Sequence, residues 1–358
     1  MNRIVREDVG RLLTREYDTG GLNGATVLIA GANSQIARFL TYLLIELSDR
    51  RNLGMRFVLL ARDGEKAAAN FADYRGREDV TLIAQDIAEP LRYEGTADVI
   101  FHSGGSSSPY HYLHDPVGIV KANALGTINV LDYAARHAVK HVVFASSREV
   151  YGDVRPGTAF IREEDCGVFD HMKQRNCYPE SKRLAESAFA AYAAQYGVPY
   201  SILRIASVYG PGMIVKNDGR AIADIVAAAA DRRDIVLTGP GTVVRGYCYI
   251  SDIADGILRV MSSPAKNQIY NLSNETELMP LRDIASLAAG LFPERNIGVV
   301  YADPGDAPLK GAYSAAAFVP MDTSKIENLG WKPAVKLADG LRRTIVSYDE
   351  DRQVITPV

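Results

Sequence analysis

Cysteine is scarce in this sequence: Cys166, Cys177 and Cys248 are the only three among 358 residues. They form no CxxC pair and no even framework, which excludes a secreted disulfide scaffold, and each is expected to pack as a small apolar group. Neither sign of charge is in excess. Lys and Arg number 40 against 43 Asp and Glu, a net of −3, too balanced for a nucleic-acid-binding surface. No apolar run approaches the ~18 residues that a membrane span needs. The opening, Met1 to Asp8, mixes charges and lacks the apolar core of a secretory signal, so a reducing cytoplasm is expected. Histidines number six. His111 and His114 stand three apart with no further ligand at helical spacing, and no metal site is expected. What is present is 47% apolar and 23% charged residues, ample for a large buried core.

Apolar runs rich in β-branched residues recur along the chain: Thr26 to Ala30, Phe57 to Leu60, Val80 to Ala84, Val99 to His102, His141 to Ala145 and Tyr200 to Ile205. Helical patterns alternate with them, a long one after Gln35 through Leu47, then Asp115 to His137 and Pro179 to Tyr196. Continuous apolar strands separated by helices predict a Rossmann-type doubly wound parallel α/β sheet. Residues 1–24 read as an N-terminal extension, a helix around Val5 to Leu13 packed outside the core and then a Gly-rich turn. Residues 25–206, with about 243–275, read as the dinucleotide-binding domain. Residues 207–242 and 276–358 read as a smaller interleaved α/β substrate-binding domain, with helices at Ala221 to Asp231 and Arg282 to Leu291, a short strand at Ile235 to Leu237 and a loop-rich Pro304 to Pro320.

The first strand runs into Gly31-Ala32-Asn33-Ser34-Gln35-Ile36-Ala37. A dinucleotide needs a glycine turn here, so that backbone and helix N–H groups approach its pyrophosphate. Only the first glycine of a GxxGxxG pattern remains. Ser34 and Ala37 hold the other two positions; the Ser34 hydroxyl suits a phosphate, and Ala37 still permits close helix-on-strand packing. The second strand ends in Leu60-Ala61-Arg62-Asp63. Arg62 stands where a carboxylate would accept from an adenosine ribose, and an Arg there suits a 2′-phosphate, whereas Asp63 still suits a ribose. NAD and NADP both stay open. Asp86-Ile87 follows the third strand and is placed to touch the adenine, although an Asp there also serves as a helix cap.

Tyr178 and Lys182 stand four apart on one face of a helix start, and a strand ending in Ser146-Ser147 lies about 30 residues upstream. A hydroxyl, a tyrosine and a lysine beside a nicotinamide make a hydride-transfer site with a built-in base. Lys182 and the cationic nicotinamide are expected to lower the Tyr178 pKa, so that its phenolate takes the proton of a substrate hydroxyl.

With these motifs the chain resembles the extended short-chain dehydrogenases/reductases, the NAD-dependent epimerase/dehydratase family of nucleotide-sugar enzymes. The resemblance covers about residues 25–348. It rests on Ala30-Gly31-Ala32, Asp86-Ile87, Lys121 to Thr127 with Asn123, Ser146 to Gly152, Tyr178 to Lys182, Val208 to Gly212 and Arg245 to Asp252. It implies a catalytic triad of Ser147, Tyr178 and Lys182, tightly held NAD, Asn123 and Lys182 at the nicotinamide ribose, and a homodimer paired through the Asp115–His137 and Pro179–Tyr196 helices. Within the family the chain looks most like UDP-glucuronate decarboxylases, through Ser106 to Tyr112, Asn217-Asp218-Gly219-Arg220 and Thr238 to Arg245. That likeness implies substrate contacts from Ser108, Tyr112, Ser207, Arg220 and Arg245. Arg220 and Arg245 would serve as donors to a diphosphate or sugar.

Arg148 departs from the family pattern. The residue between the triad hydroxyl and Glu149 is an acid in 4,6-dehydratases and a small hydroxyl residue in decarboxylases. An Arg donates no proton at neutral pH, which disfavours dehydration, whereas a cation there suits a uronic acid. The expectation is oxidation at C4 of a nucleotide-linked hexuronic acid, with Glu149 near C5 and decarboxylation following. A uronate 4-epimerase is the alternative, then a 4,6-dehydratase or an NADP-dependent 4-ketoreductase; a non-enzymatic Rossmann sensor or scaffold is disfavoured because Ser147, Tyr178 and Lys182 occur together.

Overall fold

A computed structural model describes residues 1–216, 218–303 and 318–355. Its central sheet has seven strands. Six are β1 (Thr26–Ala30), β2 (Arg56–Ala61), β3 (Val80–Ala84), β4 (Val99–His102), β5 (His141–Ser147) and β6 (Tyr200–Ile205). The seventh, Gln268–Leu272, borders β6. In space the order is Gln268–Leu272, β6, β5, β4, β1, β2, β3, and every neighbouring pair is parallel. The chain runs outward from β1 to β3 and then returns to place β4 on the other side of β1. That reversal opens a crevice at the carboxyl ends of β1 and β4, where such sheets take ligands.

The apolar runs form strands because helices cover both faces. Every residue of β1, β4 and β5 is buried, the pattern of a parallel sheet sealed above and below. The helices are α1 (Arg3–Leu12), α2 (Gln35–Arg51), α3 (Gly64–Asn70), α4 (Pro109–His114), α5 (Pro116–Arg136), α6 (Cys177–Tyr196), α7 (Ala221–Ala230), α8 (Ile250–Ser262) and α9 (Leu281–Gly290). A further helix, Leu337–Ile355, closes the chain's described part. One apolar cluster fills the face bounded by α2 and α8, and a second fills the face under α5 and α6. Beyond the sheet lie three short ladders: Val208–Tyr209 with Cys248–Tyr249, Val244–Arg245 with Met279–Pro280, and Ile235–Thr238 with Val299–Ala302.

The N-terminal segment corrects one expectation. Helix α1 is part of the core, not packed outside it: Val5, Val9 and Leu12 join the larger cluster. Asp8, on the same face, is buried, and accepts from the Tyr249 hydroxyl at 2.7 Å and from Arg343 Nε at 2.9 Å. Tyr17 reaches in the same way to Asp255 at 2.8 Å. A buried carboxylate stays tolerable when a cation and a hydroxyl replace its water. Asn217 and most of the Pro304–Pro320 loop lie outside the described residues.

Candidate active site

The crevice floor is the turn between β1 and α2. Gly31 has φ +89°, and a Cβ there would lie 2.9 Å from the Gly104 nitrogen, so only glycine lets the β1 and β4 turns touch. Ser34 caps α2 by accepting from the Ala37 N–H at 3.3 Å, and its hydroxyl meets that of Ser103 at 3.0 Å. The Ser34 hydroxyl thus has partners within the protein as well as its place at the α2 N-terminus. Asn33 donates to the Asp63 carbonyl at 2.8 Å and accepts from Asn70 at 2.9 Å. Gln35 reaches the Gly210 carbonyl at 2.9 Å. These side chains brace the turn. The Gln35 and Ile36 N–H groups, by contrast, have no partner among the described residues, and a helix start presents such groups to an anion.

At the far end of the crevice Arg62 is exposed just after β2. Asp63 caps α3, its carboxylate accepting from the Lys66 N–H at 2.9 Å, so its side chain is already used. Asp86 lies two residues past β3 and accepts locally from Ala88 N–H at 2.9 Å. The Ile87 side chain fills the space between Gly104 and Gly126, where added Cβ atoms would come within 3.3 Å and 2.9 Å of it.

The catalytic candidates meet where β5 gives way to a single helical turn, Arg148–Tyr151, and where α6 begins. Tyr178 is buried in α6, close enough to the Ser147 hydroxyl for that group to favour the phenolate. The Tyr112 ring stacks on it with centroids 4.8 Å apart and planes 20° apart. Lys182, one turn further on, donates to the Ala145 carbonyl at 2.9 Å and lies 4.5 Å over the Phe144 ring and 6.0 Å over the Tyr178 ring. Burial pushes Lys182 down to about 7. Burial also pushes the Tyr178 phenol up to about 12, opposed by the nearby Ser147 hydroxyl and the charges of Arg220 and Arg175. Lys182 thus does not by itself lower the phenol as expected, because its ammonium is aimed at a carbonyl and is itself desolvated. Asn123 donates to Ser181 Oγ at 2.9 Å, while its buried Oδ1 has no partner.

Around this centre the cleft is lined with charge. Glu149 pairs with Arg175 at 2.7 Å. Sequence reasoning did not single out Arg175, although its place three residues before Tyr178 was a usable signal. Arg148 donates to the Val319 carbonyl at 2.5 Å and lies 4.3 Å over the Phe318 ring. Burial lowers its pKa; the charge of Glu275 opposes that effect and the charge of Arg245 adds to it. Arg245 donates to the Val244 carbonyl at 2.9 Å and has no acidic partner among the described residues. Arg220 differs from its expected role. Its Nε and Nη2 hold both oxygens of buried Asp218, at 2.6 Å and 3.0 Å, and its Nη1 donates to the Val208 carbonyl, so it is an internal ion pair rather than an open anion donor. Ser108 spends its hydroxyl on the Asp218 carbonyl at 2.7 Å, and Tyr112 spends its own on the Ser107 carbonyl at 2.7 Å. Both hydroxyls brace the loop. Ser207 is half-buried at the end of β6, where its carbonyl accepts from Cys248.

The crevice suits a dinucleotide on three counts: a glycine turn that a Cβ would fill, a helix start with unbonded amides, and the orphaned Asn123 oxygen facing Gly105. A parallel sheet with that turn at its switch point and a Ser–Tyr–Lys group at the next strand end defines a short-chain dehydrogenase/reductase of the extended type. The chain belongs to the NAD dependent epimerase/dehydratase family, whose sequence profile matches residues 27–273.

Among its relatives, UDP-glucuronic acid decarboxylase 6 of Arabidopsis thaliana is 34% identical over 275 residues, covering 76% of this chain and 75% of that one. UDP-glucuronic acid decarboxylase 1 of Danio rerio is 31% identical over 79% of this chain and 64% of its own. Among solved structures, UDP-glucuronic acid 4-epimerase from Bacillus cereus in complex with UDP-glucuronic acid and NAD superposes with TM-score 0.75 at 19% identity, covering 91% of this chain and 99% of that one. A dTDP-glucose 4,6-dehydratase from Streptomyces venezuelae superposes with TM-score 0.77 at 23% identity, covering 92% and 98%. The solved structures speak for the fold.

Proposed function

We propose that this enzyme oxidises C4 of UDP-glucuronate and releases the C6 carboxylate as CO2, a lyase that returns its cofactor unchanged. The observation that carries this reading is the 34% identity to a UDP-glucuronic acid decarboxylase across three-quarters of both chains, joined to the Ser147–Tyr178–Lys182 arrangement. NAD, when bound, accepts a hydride from a substrate carbon and gives it back. Gly31 and the first amides of α2 would hold its pyrophosphate, and Asn123 with Lys182 its nicotinamide ribose. Exposed Arg62 keeps NADP as a second cofactor to be tried. Tyr178, with the Ser147 hydroxyl near it, takes the C4 hydroxyl proton. Lys182 offers the charge that favours the phenolate in the loaded site. With a carbonyl at C4, the electrons of the C5–C6 bond have a sink as CO2 leaves, and the Glu149 carboxylate would relay to C5 the proton that it then takes up from water. Arg245, lacking an acidic partner among the described residues, faces the diphosphate or sugar.

A second reading is a uronate 4-epimerase, an isomerase that keeps the carboxylate. One observation favours it: Arg148 and Arg245 lie close enough for each to feel the other's charge, a pair suited to gripping a carboxylate. Against it, Arg148 is already held by the Val319 carbonyl and opposed by Glu275, which weakens its hold on a substrate. In the same reading, residues 25–206 with 243–275 carry the cofactor, 207–242 with 276–358 carry the nucleotide sugar, and the enzyme works in the cytoplasm as a homodimer. Mass spectrometry of the product from UDP-glucuronate decides. Loss of CO2 is expected; an unchanged mass with inverted C4 establishes the epimerase, and loss of water from a neutral hexose nucleotide overturns both readings.

A further inference from the structure

We infer that Arg175 is a positioning residue of the catalytic centre: it pins Glu149 and screens Tyr178 from that carboxylate's charge. The inference rests on the proposed role of Tyr178 as base. Arg175 sits in the single turn Gln174–Asn176 that leads directly into α6, so its backbone is rigidly coupled to Tyr178 three residues on. Its Nη2 donates to Glu149 Oε2 at 2.7 Å, its Nη1 donates to Asn176 Oδ1 at 3.2 Å, and its guanidinium lies 5.9 Å from the Tyr112 ring centroid. That ring stacks on Tyr178. Arg175 therefore binds the carboxylate whose charge reaches the phenol and lies over the ring that stacks on it.

The electrostatic logic follows from who faces Tyr178. The Ser147 hydroxyl acts on it from β5, Glu149 from the following turn, Arg220 from the segment before α7, Tyr112 from α4, and Lys182 from its own helix. Of these, Glu149 is the acidic group, and a carboxylate near a phenol disfavours the phenolate. The site needs Glu149 for the substrate yet must ionise Tyr178 beside it. An Arg hydrogen-bonded to the carboxylate meets both needs, because it offsets the anion's field without removing the anion.

The proposal is tested in NAD-loaded protein labelled at tyrosine Cζ, where the Tyr178 NMR resonance is the one lost in Tyr178→Phe. Arg175→Met is expected to raise the midpoint of that titration by about one pH unit, Arg175→Lys to hold it near the wild-type value, and Arg175→Met with Glu149→Gln to bring it back. The acid limb of kcat/KM for UDP-glucuronate should move with the midpoint in the single variants. A midpoint unmoved in Arg175→Met, or not restored in the double variant, overturns the inference. Because the titration needs no substrate, a wrong choice of substrate shows itself separately, as wild-type enzyme that leaves UDP-glucuronate unchanged while its Tyr178 still responds to Arg175.

Discussion

Tyr178 is approached from three directions: the Tyr112 ring stacks on its face at 4.8 Å, the Ser147 hydroxyl lies near enough to favour its phenolate, and Lys182 lies 6.0 Å from its ring. With so much of its environment apolar, the neutral phenol is favoured and its pKa stands at about 12. The working base is thus made only when cations gather at the loaded site. Tyr178→Phe keeps the ring, the stack and nearly all the volume, and removes only the oxygen that carries the proton. Turnover is expected to fall at least ~100-fold, the scale of a lost general base, while circular dichroism and NAD binding stay near wild type. Activity within tenfold of wild type would assign the base elsewhere. The residues named from sequence for this triad meet in space; Arg175 and Glu275 were missed because their significance lies in what they face across the cleft, which no local pattern records.

The β1–α2 turn shows how an element keeps its task with fewer glycines than the usual pattern. Gly31 is required where it stands, by its positive φ and by the 2.9 Å approach of the Gly104 nitrogen. At the second position Ser34 serves as the α2 cap, and at the third Ala37 is fully buried against the core. Small size was legible in the sequence at both positions. The engagement of the Ser34 hydroxyl with Ser103 was not, since Ser103 arrives from the adjacent turn. Gly31→Ala forces a strained φ and a backbone clash, of order 1–3 kcal/mol. NAD affinity measured by calorimetry is expected to drop about tenfold or more with the melting temperature lowered; unchanged affinity would mean that the pyrophosphate lies elsewhere.

At the scale of the molecule, α5 and α6 pack against each other over one face of the sheet and leave an apolar surface outward. Val117, Val120, Leu125 and Ile128 on α5 and Leu184 on α6 are all exposed, Val117 to 62% and Leu184 to 52%. Two such pairs of helices meeting about a twofold axis would bury these side chains twice over. Light scattering at micromolar concentration is expected to give a dimer, and Leu125→Glu with Leu184→Glu a monomer that keeps its fold. A wild-type monomer would refute the pairing. No helix among the described residues is long and apolar enough to cross a membrane.

The strand–helix alternation was readable from sequence because strands buried on both faces must be apolar throughout. β1, β3, β4 and β6 appear at the residues their apolar runs mark out, and the Tyr178–Lys182 pair follows from helical spacing alone. The border strand Gln268–Leu272 was harder to see: at a sheet edge, with its first two residues half-buried, it carries Gln268 and Asn271 among its apolar residues and so lacks the continuous apolar run of the inner strands. Tertiary structure alone decided the rest. It drew α1 into the core, because Arg343 and Tyr249, far along the chain, supply what buried Asp8 needs. It turned Arg220 inward to Asp218 and set Arg148 against Val319. A side chain's type and local spacing set which interactions it can make; which of them it does make depends on partners brought near by folding, and for a charged group in a cleft that choice separates a ligand contact from an internal ion pair.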